Sequence, residues 1–87
     1  MAGKNALVTG GASGIGLACA RLLAAEAGAR ILVADRNAEA AAHVAAELHG
    51  IDVVMDVGEE SSVDAAVATV RSRVGPVDVL VNCAGVL

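Results

Sequence analysis

The sequence predicts an α/β fold in which helices cover both faces of a parallel sheet. Short apolar runs rich in β-branched residues alternate with longer alanine-rich segments of helical periodicity, beginning and ending with a strand. The strand runs show no polar alternation, as expected for strands that are buried on both faces. A glycine-rich turn joins the first strand to the first helix. With right-handed crossovers, these features predict a doubly wound sheet with the strand order 3-2-1-4 and three helices.

Each strand is predicted from a short apolar run. The first helix is predicted from the helical spacing of apolar residues after the glycine-rich turn. The helix begins near Gly14, and Gly28 stands where a helix C-cap would end it. Its apolar residues recur at helical spacing and are expected to face the sheet: Ile15, Cys19, Leu22 and Leu23. The predicted strands are residues 5–9, 31–34, 51–55 and 77–81.

The second and third helices are predicted from capping residues and apolar stripes. Asn37 can cap the second helix, and the run from Ser61 to Asp64 resembles a capping signal for the third. Gly50 follows the second helix, and Gly75-Pro76 ends the third. The expected buried stripes are Ala41, Val44, Ala45 and Leu48 in the second helix, and Val63, Val67, Val70 and Val74 in the third.

The composition predicts one small domain with an aliphatic core. The 87 residues are 56% hydrophobic with a mean hydropathy of +0.68, yet they include no Phe, Tyr or Trp. The net charge of −4 and the six scattered Lys and Arg residues argue against nucleic acid as a partner. The longest uncharged stretch is interrupted by glycines, which argues against a membrane span, so the cytoplasm is the expected location.

Residues 9–16, Thr-Gly-Gly-Ala-Ser-Gly-Ile-Gly, have the features of a phosphate-binding turn. The start of a helix leaves N–H groups unpaired and carries the positive end of the helix dipole, so it favours an anion. We expect Gly10 to permit the tight turn, Gly14 to let a pyrophosphate approach, and Gly16 to let the helix pack closely. The spacing differs by one residue from Gly-x-Gly-x-x-Gly and lacks the Gly-Lys-Ser/Thr end of a P-loop.

Distinctive residues also follow the other strands, at the edge of the sheet where ligands bind in such folds. Asp35 comes about twenty residues after the turn, where a carboxylate accepts the hydroxyl hydrogens of an adenosine ribose. A 2′-phosphate would meet a like charge there, which favours NAD over NADP, although the adjacent Arg36 would partly offset the repulsion. The alternative interpretation is that Asp35 merely begins a polar turn.

Four segments together resemble the cofactor elements of the short-chain dehydrogenase/reductase family. They are residues 9–16, Asp35, Asp56-Val57 and Asn82-Cys83-Ala84-Gly85, in the order that the family has them. The resemblance covers the whole chain but the first half or less of a family member. It implies that residues 1–87 are a Rossmann-like NAD-binding half-domain, truncated after the fourth strand.

The resemblance also implies roles for individual residues. Asp56 would receive the adenine amino group with Val57 beside the ring, and the segment from Asn82 would adjoin the cofactor ribose. Cys83 stands where the family has a second Asn, so the hydrogen bonds of one amide are absent. Ser13 either reaches the adenosine ribose or only forms the local turn. The candidate cofactor-binding residues are Gly10, Ser13, Gly14, Ile15, Gly16, Asp35, Arg36, Asp56, Val57, Asn82, Ala84 and Gly85.

The remaining reactive side chains have simpler interpretations. Cys19 and Cys83 are too few for a disulfide framework and have no metal-ligand spacing, so both are expected to be reduced. Cys19 is expected to act as a small apolar side chain, whereas a reactive role for Cys83 stays open. His43 and His49 are predicted to lie at the surface. The acidic residues around the start of the third helix complement its dipole, and no metal site is predicted.

The groups that catalyse hydride transfer in the family are missing from this chain. The family uses a Tyr, a Lys four residues later and a Ser, but this sequence has no Tyr, and its only Lys is Lys4. The resemblance therefore implies the NAD(H)-binding N-terminal portion of an oxidoreductase, with no catalytic residues and no activity by itself. The alternatives are a non-catalytic nucleotide-binding or self-associating module, and a fragment that binds nothing. The strand at 77–81 would be an open edge, expected to pair with a second copy or a complementing chain.

Overall fold

The computed structural model describes residues 3–12, 14–56 and 60–83. Four strands and three α-helices alternate along the chain: β1 (Asn5–Thr9), α1 (Gly14–Leu22), β2 (Arg30–Asp35), α2 (Ala38–Leu48), β3 (Ile51–Val54), α3 (Glu60–Arg73) and β4 (Val79–Asn82). All neighbouring strands are parallel, and their order in the sheet is β3-β2-β1-β4. The predicted fold class and strand order are confirmed.

The helices cover the two faces of the sheet unequally. On one face α1 and α2 pack against alternate residues of the central strands, whereas α3 packs alone on the other face. Each large aliphatic side chain buried in these layers stabilises the fold by about 1.5–3 kcal/mol. The core under α1 and α2 includes Ala6, Val8, Ala20, Ile31, Val33, Ala41, Val44 and Ala45, and the core under α3 includes Leu7, Leu32, Ala34, Val53, Met55, Ala66 and Val70.

The strand bounds differ from the prediction mainly in β4, which begins two residues later than expected. Asp78 immediately precedes β4, and its Oδ2 accepts a hydrogen bond from the backbone N–H of Asn5 at 2.8 Å. The Asn5 side chain donates to the carbonyl oxygens of Val74 and Pro76 at 3.4 and 3.1 Å. The N–H of Asp78 also donates to the carbonyl oxygen of Asn5 at 2.9 Å, so side-chain and backbone hydrogen bonds together bind the link before β4 to the start of β1.

The bounds of β2 and β3 differ from the prediction by one residue at each end that changes. β2 extends from Arg30 to Asp35, and β3 ends at Val54 instead of Met55. Met55 is nevertheless buried, and its N–H donates to the carbonyl oxygen of Asp35 at 3.1 Å. This bond holds the segment after β3 against the end of β2.

The predicted buried face of α1 is wrong in two of its positions. Ile15 and Leu22 have 57% and 61% of their surface exposed, whereas Gly16 and Ala20 are buried. Gly16 and Ala20 face the sheet because small residues let the helix approach it closely, Leu17 packs beside them half-buried, and Ile15 and Leu22 turn outward. After α1 the chain makes a π-helical turn, Leu23–Ala27, which ends at Gly28 with a φ of 67°. The Gly28 C-cap is as predicted.

The second and third helices follow the prediction more closely. The Asn37 side chain accepts a hydrogen bond from the N–H of Ala40 at 3.1 Å and so caps α2 as expected. His43 and His49 are exposed, as predicted. In α3 Ala66 and Val70 are buried and Val67 is half-buried. Val74, which directly follows the helix, is also half-buried, and the side chain of Val63 lies outside the described residues. α3 begins at Glu60, before the predicted capping signal.

No α-helix within the described ranges is both long enough and apolar enough to span a membrane.

Candidate functional site at the carboxyl edge of the sheet

The glycine-rich turn after β1 lies on the end of the neighbouring strand β2. The N–H groups of Gly10 and Gly11 both donate to the carbonyl oxygen of Ala34, at 2.7 and 3.3 Å. Gly10 has a φ of 66°, a conformation that glycine adopts without strain, so its predicted role in the tight turn is confirmed. The turn is therefore fixed relative to β2 before any ligand binds.

Gly16 brings the first turn of α1 into direct contact with this loop. A Cβ at this position would overlap the carbonyl oxygen of Gly10 and lie 3.1 Å from the Cα of Gly11. No side chain larger than hydrogen fits, which confirms the expected close packing. Gly11, which was not among the predicted site residues, is under a similar constraint because its Cβ would lie 2.9 Å from the Val8 carbonyl oxygen.

Gly14 is the first residue of α1 and leaves open space in front of the helix start. Its φ is 57°, it is exposed, and no heavy atom lies within 4 Å of the place that a Cβ would occupy. The N–H groups in the first turn of a helix have no partner within the helix, and they carry its positive end. Ile15 is exposed beside this position. The arrangement can accept an anionic group close to the backbone.

Asp35 ends β2 with its carboxylate held against the same loop. Its Oδ2 accepts a hydrogen bond from the N–H of Ala12 at 3.3 Å, and its Oδ1 accepts one from the N–H of Asn37 at 3.0 Å. The side chain is half-buried, whereas the adjacent Arg36 is exposed. The structure thus places a negative charge next to the glycine-rich turn, as the spacing predicted.

The ends of β1 and β4 are joined by side chains at the same edge. Thr9 Oγ1 donates to Asn82 Oδ1 at 2.7 Å, and the two residues are opposite each other in the strand register. The N–H of Cys83 donates to the carbonyl oxygen of Thr9 at 3.2 Å. Asp56 is half-buried two residues after β3. The carboxyl ends of all four strands therefore carry polar residues along one edge. Thr9, which pairs with Asn82, was not predicted as a site residue.

The two cysteines are free, and their side chains adjoin each other beside this edge. Burial raises the pKa of the Cys83 thiol above its ordinary value, and the neighbouring Cys19 thiol raises it further. A raised pKa keeps Cys83 protonated at neutral pH, and the protonated thiol is a poor nucleophile. These features favour a packing role for Cys83 over a reactive one.

A cavity of about 470 Å³ opens on the face of the sheet that α3 covers only in part. Its polar end is the Thr9–Asn82 pair at the carboxyl edge. The remaining wall is apolar and consists of Leu7, Met55, Val67, Val77 and Leu80. The described residues include no group of three or more His, Cys, Asp or Glu side chains arranged to hold a metal ion.

Four candidate cofactor-binding residues lie outside the described residues: Ser13, Val57, Ala84 and Gly85. The other candidates are all at the carboxyl edge or in the turn above it. Lys4 is at the opposite edge, since it precedes β1 and its carbonyl oxygen accepts the N–H of Arg30 at the start of β2. The single lysine is therefore remote from the candidate site.

Comparison with known proteins gives a consistent family match. The family model described as short chain dehydrogenase matches residues 4–87. The chain is 48% identical to D-threitol dehydrogenase of Mycolicibacterium smegmatis, an alignment that covers 97% of this chain and 34% of that protein. The chain spans about a third of the length of the curated relatives it matches.

Two solved structures from Brucella melitensis have the same fold over this region. One, described as ribose-5-phosphate isomerase, is 56% identical with a TM-score of 0.94, and the match covers 100% of this chain and 34% of that one. The other is 3-ketoacyl-(acyl-carrier-protein) reductase complexed with NADH, 40% identical with a TM-score of 0.83 over 91% of this chain and 33% of that one. The names describe different reactions, so similarity over this third of the length does not specify a substrate.

Proposed function

The chain belongs to the short-chain dehydrogenase family, and from this premise we propose that residues 1–87 form the part of an oxidoreductase that binds NAD(H). The observation that carries the proposal is the open helix start at Gly14 beside the Asp35 carboxylate, both fixed to one glycine-rich turn. The reductase that was solved with NADH supports a nicotinamide dinucleotide as the cofactor. The named activities of the relatives differ, so the proposal does not extend to a substrate.

The proposed binding mode assigns one part of the cofactor to each feature of the edge. The pyrophosphate lies in front of Gly14, where backbone N–H groups and the helix dipole stabilise its charge. Asp35 accepts hydrogen bonds from the adenosine ribose, and Asp56 is close to the adenine. Asn82, held by Thr9, lies towards the nicotinamide half. The bound nicotinamide ring would supply the hydride acceptor and donor.

We favour NAD over NADP because of the charge at the end of β2. A 2′-phosphate on the ribose would be close to the Asp35 carboxylate, and two negative charges at short range repel. Arg36 is exposed on the adjacent residue, where water screens its charge. The carboxylate of the half-buried Asp35 is less screened by water. Its repulsion of a 2′-phosphate therefore outweighs the attraction between that phosphate and Arg36.

A second function, a nucleotide-binding module without chemistry, is supported by the missing Tyr of the family's catalytic set. No Tyr is present in the sequence, and Lys4 is at the amino edge of the sheet. Within the described ranges, neither a Tyr nor a Lys lies at the carboxyl edge to donate a proton during hydride transfer. The cytoplasmic location expected from the sequence stays a prediction.

Replacing Gly14 with Ala tests the cofactor loop. Both Gly14 and Gly75 have a positive φ and open space around the Cβ position, so Ala at either site costs about 1–2 kcal/mol of backbone strain. Only Gly14 faces the proposed pyrophosphate. We expect Gly14→Ala to weaken NADH binding, measured by calorimetric titration, by about tenfold or more relative to Gly75→Ala. Equal affinities in the two variants would contradict the proposed position of the pyrophosphate.

Replacing Asp35 with Asn tests the choice between NAD and NADP. The amide keeps an acceptor for Ala12 or Asn37 but removes the negative charge. We expect the ratio of NADH to NADPH affinity to fall about tenfold in Asp35→Asn, which corresponds to about 1.4 kcal/mol. The control is Asp52→Asn, because Asp52 is an exposed carboxylate on β3. A ratio that is unchanged in Asp35→Asn would show that Asp35 does not select the cofactor.

The isolated chain is expected to bind the cofactor without turning over a substrate. The physical reason is the absence of Tyr and the distance of Lys4 from the site. The measurement is NADH formation from NAD with a panel of secondary alcohols, using the purified chain. Turnover that co-purifies with the chain and disappears in Gly14→Ala would overturn the inactive state that we propose.

A further inference from the structure

The alternation of side chains along β4 places Cys83 on the face of the sheet that α1 covers. Successive side chains of a strand point to opposite faces. Val81 packs against the core under α1 and α2, whereas Asn82 lines the cavity on the α3 side. Cys83 follows directly, and the hydrogen bond from its N–H to the Thr9 carbonyl oxygen continues the pairing with β1. The Cys83 side chain is therefore on the same side as Val81, towards α1.

α1 brings the only other cysteine of the sequence to the same place. The helix packs against both β1 and β4, and Cys19 is half-buried between the exposed Ala18 and the buried Ala20. The thiols of Cys19 and Cys83 adjoin, although the two residues are far apart in the sequence. Core packing holds one of them, and strand pairing holds the other. The contact between them therefore does not depend on any part of the chain that follows Cys83.

We propose that Cys19 and Cys83 form a redox-responsive site, which reacts with a small-molecule disulfide such as glutathione disulfide to give an intrachain disulfide between α1 and the end of β4. In the overall reaction, two protein thiols and one glutathione disulfide give one protein disulfide and two glutathione thiols. Two electrons and two protons pass from the chain to glutathione. In the reduced chain, both thiols are packed side by side and are free.

The interaction between the two thiols gives the order of the steps. Burial, and then the neighbouring Cys19 thiol, raise the pKa of Cys83, so Cys83 stays protonated and Cys19 makes the first attack. The Cys19 thiolate bonds to one sulfur of glutathione disulfide, the sulfur–sulfur bond breaks, and one glutathione leaves and takes up a proton.

The mixed disulfide on Cys19 prepares the second step. Its sulfur can no longer carry a negative charge, so the contribution of Cys19 to the raised pKa of Cys83 is removed. Cys83 then loses its proton, and its thiolate attacks the Cys19 sulfur. The bond from Cys19 to glutathione breaks, and the second glutathione leaves and takes up a proton.

The position of this disulfide gives it two physical consequences. It would enclose residues 19–83, which are most of the 87-residue chain. A cross-link that closes so long a loop lowers the entropy of the unfolded chain, and therefore stabilises the fold when the native geometry accepts the bond. The link would also tie α1 to the strand end that carries Asn82 at the carboxyl edge. No cofactor takes part, so the proposal is independent of the proposed NAD(H) binding.

The first test is equilibration of the purified chain in mixtures of reduced and oxidised glutathione, followed by acid quenching and mass spectrometry. We expect a product lighter than the reduced chain by two hydrogen atoms, with both cysteines joined in one peptide pair after proteolysis. In concentrated urea, the equilibrium constant for the disulfide should fall at least about tenfold, because the unfolded chain must close a long loop. The absence of an intrachain disulfide, or equal constants for the folded and unfolded chain, would overturn the proposal.

A matched control moves one thiol by a single residue. The double variant Ala18→Cys, Cys19→Ser places the thiol on the exposed side of α1 with almost the same loop length. We expect this variant to stop at mixed disulfides with glutathione, as Cys83→Ser should, while circular dichroism shows both to be folded. Intrachain disulfide in the double variant to the same extent as in the parent chain would show that the contact of Cys19 with Cys83 does not direct the reaction.

Thermal unfolding of the two redox forms tests whether the native fold accepts the bond. We expect the oxidised chain to melt at least about 5 °C above the reduced chain, as followed by circular dichroism. Cys83→Ser, treated with the same glutathione mixture, controls for effects of glutathione itself. A melting temperature that is not raised would show that the fold is distorted to form the disulfide, and would contradict the proposed site.

Discussion

The close contact between Gly16 and the turn at Gly10 is the constraint on which the rest of the candidate site depends. Because Gly16 has no Cβ, α1 begins directly above the turn, and its start is left open at Gly14. The glycine-rich turn itself is hydrogen-bonded to Ala34 and Asp35 at the end of β2. Helix, turn and carboxylate therefore share one rigid arrangement, and the energy for ordering them is supplied by folding instead of by ligand binding.

The helices cover the two faces of the sheet unequally, and the more open face holds the cavity that reaches the carboxyl edge. α1 and α2 seal one face, and their contact is reinforced by the exposed pair of hydrogen bonds from Arg21 to Glu47, at 2.7 and 2.9 Å. α3 covers the other face only as far as the cavity beside β4. The chain spans about a third of the length of its relatives, and the described part of it brings the carboxyl ends of four parallel strands to one edge.

The elements with strong local signals could be predicted from the sequence, while those set by long-range contacts could not. The bounds of β1, the Asn37 cap and the Gly28 C-cap follow from residue type and position, and the strand order follows from the crossover rule. The outward position of Ile15 and Leu22 could not be read from apolar periodicity, because the contact is made by the small faces of Gly16 and Ala20. The late start of β4 depends on hydrogen bonds between residues more than sixty positions apart, such as Asp78 and Asn5. In the candidate site, spacing predicted Asp35 and the glycines, whereas Gly11 and Thr9 became apparent only from their contacts.

An NMR titration of the isotopically labelled chain with NADH is the most direct test of the carboxyl-edge site. If the cofactor binds in front of α1, the amide signals of Gly10, Gly14, Gly16 and Asp35 will shift together and saturate at one ligand per chain. The signals of Lys4 and Asp78, which lie at the amino ends of β1 and β4 on the opposite side of the sheet, will not shift. Shifts centred on that opposite edge, or no saturable shift around Gly14, would contradict the assignment of this chain as a dinucleotide-binding domain.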